Sequence, residues 1–439
     1  MTVSWNLRAW RIAWPVILSN VSSPMLSAVD IAVVGHLPGP EYLGAVAVGS
    51  RVFVVLYFGL LFLRMGTTGF TAQALGAGRP DEIRAWLGRA GLLAGSIGLL
   101  IILLQSPIAW LGISVIGPEP EIAVLAEDYV LIRIWSAPAA LANFALLGWL
   151  FGIQATRTAL VTQVFMNGLN IVLDIWFVTG LGWGVEGVAL ATVISECSAV
   201  MLGLALAGTH LRRIGGHWDL RRLADMDRIR WMMRVNGDLF IRSIILQISF
   251  LAITAVGARL GAATLAANAI LFNLFAFTAY LLDAYANAAE ALTGEAVGKR
   301  DPVSFRHAVK AAGRGAVIGS TVLTVIFWAG GPFFIDLMTT VPEVREVARE
   351  FLPWSIFMPL VSVWSFVLDG IFVGSTWSRE MRNSMVAASL AYGAALVVFV
   401  PTWGNHGLWF AITIYMAARA VTLALRYPRL SRTVGAAPH

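Results

Sequence analysis

Long apolar segments alternate with short polar segments along the whole chain, and each apolar segment is long enough to cross a bilayer. A bilayer core of ~30 Å needs ~20 apolar residues in a helix, and on that measure the sequence predicts twelve membrane-spanning helices. The predicted spans are 10–36, 43–76, 86–108, 122–148, 157–180, 186–208, 232–257, 263–297, 308–331, 345–372, 383–402 and 406–427. The pattern predicts an all-α membrane protein.

The second half of the chain repeats the first, with 27–79 aligning without a gap on 249–301. Matching pairs include Ser27 with Ser249, Gly35 with Gly257, Gly148 with Gly370, Gly152 with Gly374 and Gly187 with Gly407. The repeat predicts two pseudo-symmetric six-helix bundles: an N-terminal lobe (1–208), a cytoplasmic linker (209–231) and a C-terminal lobe (232–439). An even number of spans makes the repeats parallel, and duplicated membrane bundles are typical of transporters that work by alternating access.

Composition and charge agree with a membrane protein. Of the 439 residues, 58% are hydrophobic and 13% are charged, about half the ~25% charged residues of soluble domains. The formal charge of +6 does not indicate a nucleic-acid partner, because the basic residues are spread over short loops that alternate with loops poor in Lys and Arg. That distribution predicts cytoplasmic termini. The single cysteine, Cys197, excludes an intramolecular disulfide.

Five polar residues on four predicted spans of the N-terminal lobe fall at one depth, in the outer half of the membrane. They are Asp30, Tyr129, Asn170, Asp174 and Thr192. A carboxyl group in low dielectric can bind a proton near neutral pH, and Tyr, Asn and Thr can hydrogen-bond to either form. We expect a proton or cation site; the alternative is that each aspartate pairs separately with a helix N–H group or an arginine.

The repeat makes the two lobes chemically different, because Asp30 aligns with Ala252 and Asp174 with Ala394. Pro15, in the inner half of the first span, removes a backbone hydrogen bond. It predicts either a hinge coupled to Asp30 or a static kink.

Other polar or adaptable side chains lie within predicted spans. Asp283 and Asp369 in the C-terminal lobe, with Met25 and Met166 in the N-terminal lobe, are candidates for lining a substrate cavity; plain packing is the alternative for the methionines. For Arg242, pairing with an acid is expected, and a substrate contact is the alternative.

The sequence does not favour an enzyme. All six histidines lie in loops or at span ends, and HExxH, GxSxG, P-loop and CxxC patterns are absent. No catalytic residues, metal or other cofactor are expected.

Several motifs together resemble the MATE (multidrug and toxic compound extrusion) family in its DinF-type branch, over residues 8 to 425. The motifs are Asp30-Ile-Ala-Val-Val-Gly-His-Leu, Leu63-Arg-Met-Gly-Thr-Thr-Gly-Phe-Thr-Ala-Gln-Ala-Leu-Gly, Asn170-Ile-Val-Leu-Asp174 and Leu368-Asp-Gly-Ile-Phe-Val-Gly, followed by Glu380-Met-Arg-Asn.

The resemblance implies two six-helix bundles in a V around a central cavity, and cation-coupled export of amphipathic, often cationic, drugs or toxic compounds. It implies coupling roles for Asp30, Asp174, Asn170, Tyr129 and Thr192. It also implies a monomer in a bacterial inner membrane.

The poor match to the sodium-coupled branch favours protons, with sodium left open. The alternative within transporters is a flippase for lipid-linked precursors. Its phosphate cargo would need a cationic cavity, and the two aspartates argue against one. An intramembrane enzyme is the remaining alternative.

Overall fold

The computed structural model describes residues 4–435, apart from the side chains of residues 23–25, 27 and 28. Within that part the chain is helical and forms no β-strand. The helices are α1 (Trp5–Val34), α2 (Pro40–Leu60), α3 (Phe62–Gly76), α4 (Pro80–Leu103), α5 (Gln105–Ile116), α6 (Pro120–Arg133), α7 (Ala137–Gly152), α8 (Thr156–Asp174), α9 (Val185–Ile214), α10 (Leu220–Leu223), α11 (Met226–Arg259), α12 (Ala262–Lys299), α13 (Pro302–Met338), α14 (Pro342–Gly374), α15 (Ser378–Trp403) and α16 (Asn405–Thr433). A 3₁₀ turn (Ile134–Ser136) joins α6 to α7, and a π-helix (Ile175–Gly180) continues α8.

Eleven segments in the described part of the chain are long and apolar enough to cross a membrane. The first predicted span corresponds to α1, which contains the side chains outside the described set. The predicted fold class, an all-α membrane protein, is confirmed.

Several helices begin earlier than the apolar pattern predicts. α4 begins at Pro80 rather than 86, and α13 at Pro302 rather than 308. Proline suits the first turn of a helix because that turn needs no N–H partner within the helix. Before α13, an Asp301 carboxylate oxygen also accepts hydrogen bonds from the backbone N–H groups of Val303 (2.9 Å) and Ser304 (3.1 Å). The first turns of these helices are polar, so the apolar pattern did not include them although they are helical.

The chain divides into two compact units, which we call the N-terminal unit (18–232) and the C-terminal unit (1–17 with 233–439). The predicted lobes differ from this division at the beginning of the chain. Within the C-terminal unit, Arg8 of α1 forms an ion pair with Glu295 of α12. Trp5 also packs edge-on against His307 of α13, with ring centroids 6.0 Å apart.

The predicted linker, 209–231, packs as part of the N-terminal unit. The Arg84 guanidinium donates to the carbonyl oxygens of Leu211 (2.7 Å) and Gly215 (2.8 Å). Trp231 packs against Phe70 and Trp86, with ring centroids 4.7 and 5.8 Å apart. Arginine and tryptophan contacts therefore hold this polar segment within the N-terminal unit.

The same close helix crossing occurs once in each unit. In the N-terminal unit, Gly148 of α7 lies against the backbone of Arg64 on α3. In the C-terminal unit, Gly370 of α14 lies against the backbone of Ala286 on α12. Any added Cβ would overlap those backbone atoms, so the aligned glycines allow two membrane helices to approach closely.

The close crossing predicts that one added methyl group at Gly370 lowers the stability of the protein. Gly370→Ala should reduce the free energy of unfolding by about 1–3 kcal/mol, because the methyl group forces the two backbones apart. The control is Gly393→Ala in α15, where a Cβ meets no atom within 4 Å and the better helix propensity of alanine should be neutral or favourable. Thermal denaturation of the purified proteins in detergent measures both. Equal melting temperatures for the two variants would contradict the prediction.

Candidate functional site

Two aspartates meet in the interior of the N-terminal unit. Asp174 is fully buried at the end of α8, and Asp30 of α1 brings its carboxyl group next to that of Asp174. The π-helix begins at the residue after Asp174. Such wide turns occur frequently at functional sites.

Arg133 is the cation that faces both aspartates. Its Nη1 donates to the Tyr129 hydroxyl at 2.7 Å, and that hydroxyl lies 3.1 Å from the Ser50 hydroxyl. The guanidinium also lies 4.6 Å from the centroid of the Phe53 ring, a distance at which the ring attracts a cation. Arg133 is thus held by groups from α2 and α6.

A third acid, Glu196 of α9, lies within the electrostatic reach of the same guanidinium without forming an ion pair with it. One of its carboxylate oxygens is buried, and its backbone carbonyl accepts a 3.1 Å hydrogen bond from Asn143. The sequence analysis missed Glu196. It lies one turn from Thr192 on an apolar helix, so the reasoning that singled out Asp174 would have found it.

The remaining predicted coupling residues lie on the expected helices. Asn170 is buried one turn before Asp174, and among the described residues its amide nitrogen has no hydrogen-bond partner. Thr192 donates to the carbonyl oxygen of Val188 in its own helix at 3.1 Å. None of the described contacts joins Thr192 to either aspartate.

Of the two methionine candidates, Met166 lies in the same unit, with its sulfur 3.9 Å from the Asn143 amide nitrogen. Met25 lies outside the described side chains. Pro15 is buried within the continuous helix α1.

Helices of the N-terminal unit change type beside these side chains. The 3₁₀ turn follows Arg133, and the π-helix follows Asp174. The aligned helices of the C-terminal unit, α14 and α15, continue as α-helix through the corresponding positions.

The C-terminal unit has a different ionic cluster. Both Arg242 of α11 and Arg419 of α16 donate to the same carboxylate oxygen of Asp369, the latter at 2.6 Å. All three side chains are buried. Asp283, the other candidate, accepts a 3.1 Å hydrogen bond from Asn287 one turn along α12. Arg242 therefore pairs with an acid, which is the expected one of the two alternatives that the sequence left open.

Asp369 should be critical for stability, because its loss leaves two buried guanidinium groups without a counter-charge. Asp369→Asn should cost about 3–5 kcal/mol. The matched control is Asp336→Asn, since Asp336 is 39% exposed and pairs with Arg349 at 2.6 Å; an exposed pair contributes about 0–1 kcal/mol. Denaturation midpoints in detergent compare the two. A similar loss in both variants would contradict the prediction.

The comparisons with known proteins agree with this architecture. The MatE family model matches the chain twice, over residues 15–176 and 239–400. DNA damage-inducible protein F of Escherichia coli (strain K12) is 42% identical over 420 residues, which are 96% of this chain and 91% of that protein. A probable multidrug resistance protein NorM of Xanthomonas campestris pv. campestris is 25% identical over 460 residues, 97% of this chain and 95% of the relative.

A solved structure described as MATE in the bent conformation has a TM-score of 0.87 at 21% identity, covering 98% of this chain and 97% of that one. The family model matches once in each half of the chain, as the internal repeat requires. The chain is therefore a multi-pass membrane protein that belongs to the MATE family of multidrug transporters, in the branch that includes DNA damage-inducible protein F.

Proposed function

We propose that this protein exports amphipathic, often cationic, compounds across the bacterial inner membrane in exchange for protons. One observation carries the proposal: three buried carboxyl groups in the N-terminal unit, those of Asp30, Asp174 and Glu196, lie within the electrostatic reach of one guanidinium, that of Arg133, and none of them forms an ion pair with it in the described part of the chain. Family membership and the relative described as a multidrug resistance protein support the transport of drugs. The protein acts as a monomer, with both termini cytoplasmic.

The charges explain how the exchange works. A charge in low dielectric needs a nearby opposite charge, because its interaction with water is lost. One guanidinium cannot balance three carboxylates, so the site attracts further positive charge. Protons and a cationic compound both supply it and therefore compete for the same aspartates. Protons entering from outside release the compound, and loss of the protons to the cytoplasm restores the site.

Protons fit this site better than sodium. Sodium needs several oxygen ligands held around one point. A proton adds to one carboxyl oxygen and needs no such cage. A flippase for lipid-linked precursors would carry a phosphate, which an excess of carboxyl groups repels.

The Asp30–Asp174 pair should behave as one coupling unit. Asp30→Asn and Asp174→Asn should each abolish most proton-driven efflux, and the double variant should be barely worse than either one, because groups that share protons lose function non-additively. Drug efflux from proteoliposomes with an imposed pH gradient measures this. Asp128→Asn is the control, since Asp128 is exposed on the same helix as Tyr129 and Arg133.

Three outcomes would count against the proposal. Normal efflux by Asp30→Asn would remove that aspartate from coupling. Losses that multiply in the double variant would show two independent sites. Efflux driven by a sodium gradient without a pH gradient would replace protons with sodium.

Pro15 is proposed to act as the hinge that links Asp30 to transport. The division between the two units falls inside α1, between Ile17 and Leu18, two residues after Pro15. Proline leaves one backbone carbonyl of the helix without its usual donor, so the helix bends there most easily. Protonation of Asp30 weakens its attraction to Arg133 and allows the following part of α1 to move.

Pro15→Ala should restore the missing donor and stiffen α1, so efflux should fall with little change in drug binding. The control is Pro353→Ala, because Pro353 is an exposed proline inside α14. Efflux in proteoliposomes and drug affinity in detergent give the two readouts. Full efflux by Pro15→Ala, with an unchanged α1 in structures at low and high pH, would leave Pro15 as a static kink.

A further inference from the structure

A cleft of about 520 Å³ opens between the beginning of α15 and the end of α16, in the C-terminal unit. Its charged lining consists of Arg379 and Glu380 from α15 with Arg426 and Arg429 from α16. Three arginines therefore face one carboxylate. Among the described residues, none of the three arginines forms an ion pair, whereas the neighbouring Arg382 pairs with Asp238 at 2.6 Å.

The donors that the cleft offers are its guanidinium groups. Ser384 and Thr422 also lie in its lining, but their hydroxyl groups, 2.5 Å apart, bond to each other and to the backbone carbonyl oxygens of Arg419 and Ala418. Arginine guanidinium groups form strong charge-assisted hydrogen bonds to phosphate oxygens. The basic lining therefore fits a phosphate group.

An apolar surface begins where the polar lining ends. Leu425 lines the cleft and is 74% exposed. Val421 on the preceding turn of α16 is exposed, and so are Val386 and Leu390 on α15. A ligand with a phosphate head and hydrocarbon chains would place its head in the cleft and its chains along these side chains.

The repeat preserves only part of this chemistry. By the alignment that pairs Gly152 with Gly374, Arg379 corresponds to Arg157. By the alignment that pairs Gly187 with Gly407, Arg426 corresponds to Leu206 and Arg429 to Thr209. The two arginines that α16 contributes to the cleft are therefore specific to the C-terminal unit, whereas the close glycine crossings are common to both units.

We infer that this cleft binds the headgroup of an anionic phospholipid, with the acyl chains lying along the exposed apolar faces of α15 and α16. Basic pockets between membrane helices bind such headgroups because the arginines attract the negative charge of the phosphate. Each arginine near the membrane surface increases the affinity about 5-fold. The site lies outside the proposed proton site and does not depend on transport.

The test measures lipid binding to the delipidated full-length protein in detergent, with phosphatidylglycerol and phosphatidylcholine as probes. Phosphatidylglycerol should bind the wild type. Arg426→Gln or Arg429→Gln should weaken that binding roughly 5-fold, and the double variant about 30-fold. Arg432→Gln is the control, because Arg432 is exposed on the same helix and lies outside the cleft. Added salt should weaken binding to the wild type, a measurement that needs no variant.

Three results would overturn the inference. The double variant could bind phosphatidylglycerol as tightly as the wild type. Phosphatidylcholine could bind as well as phosphatidylglycerol, which would leave the acyl chains alone as the ligand. Inorganic phosphate could displace the lipid at concentrations comparable to those of the lipid itself, which would identify a free-phosphate site instead.

Discussion

The need to compensate charge away from water is the constraint on which this structure depends. Each unit buries ionisable side chains among apolar helices, where an isolated charge is very costly. The N-terminal unit sets Asp30, Asp174 and Glu196 against Arg133, which leaves an excess of acid that mobile positive charge can neutralise. In the C-terminal unit, Asp369 holds Arg242 and Arg419, so its acid is already engaged. Similar scaffolds thus carry opposite balances of charge, and the exchange that we propose uses the acidic one.

The repeat preserves the contacts that hold helices together and changes those that carry chemistry. Gly152 lies against Thr71 and the backbone of Thr68, and in the other unit Gly374 lies against Thr293 and the backbone of Glu290. The alignment of these positions is exact because a close crossing tolerates only glycine. By contrast, α14 and α15 continue where the N-terminal unit has a 3₁₀ turn after Arg133 and a π-helix after Asp174. A change of helix type frees backbone polar groups and alters the direction of the side chains that follow. Such changes occur frequently at functional sites.

The sequence predicted the membrane spans and the acids inside them, because each of these features can be recognised from a residue and its apolar neighbours in the chain. Length and hydropathy were sufficient for the spans, and Asp30 and Asp174 were visible as acids inside spans. Pairing was not visible, because helices distant in sequence meet only in the fold: nothing in the sequence places Arg133 beside Glu196, or Arg419 beside Asp369. The contacts of the linker were hidden for the same reason: Arg89 of α4 is almost fully buried and donates to the carbonyl oxygen of Arg222 in the linker.

Helix α1 carries Asp30 and contributes residues to both units, so it links the proposed proton site to the rest of the chain. Its first residues belong to the C-terminal unit, where Arg8 is tied to Glu295, and Glu295 is also paired with Lys299. Its later residues belong to the N-terminal unit and carry Asp30. A change in the charge of Asp30 acts on the later part, while the ion pair resists movement of the first part. In the hinge that we propose, α1 bends between these two ends, where Pro15 has already removed one backbone hydrogen bond. A rigid helix would transmit the change along its whole length, whereas a helix weakened at Pro15 can bend locally. Bending of this kind would leave the glycine crossings of each unit intact while the surroundings of the carboxyl groups change.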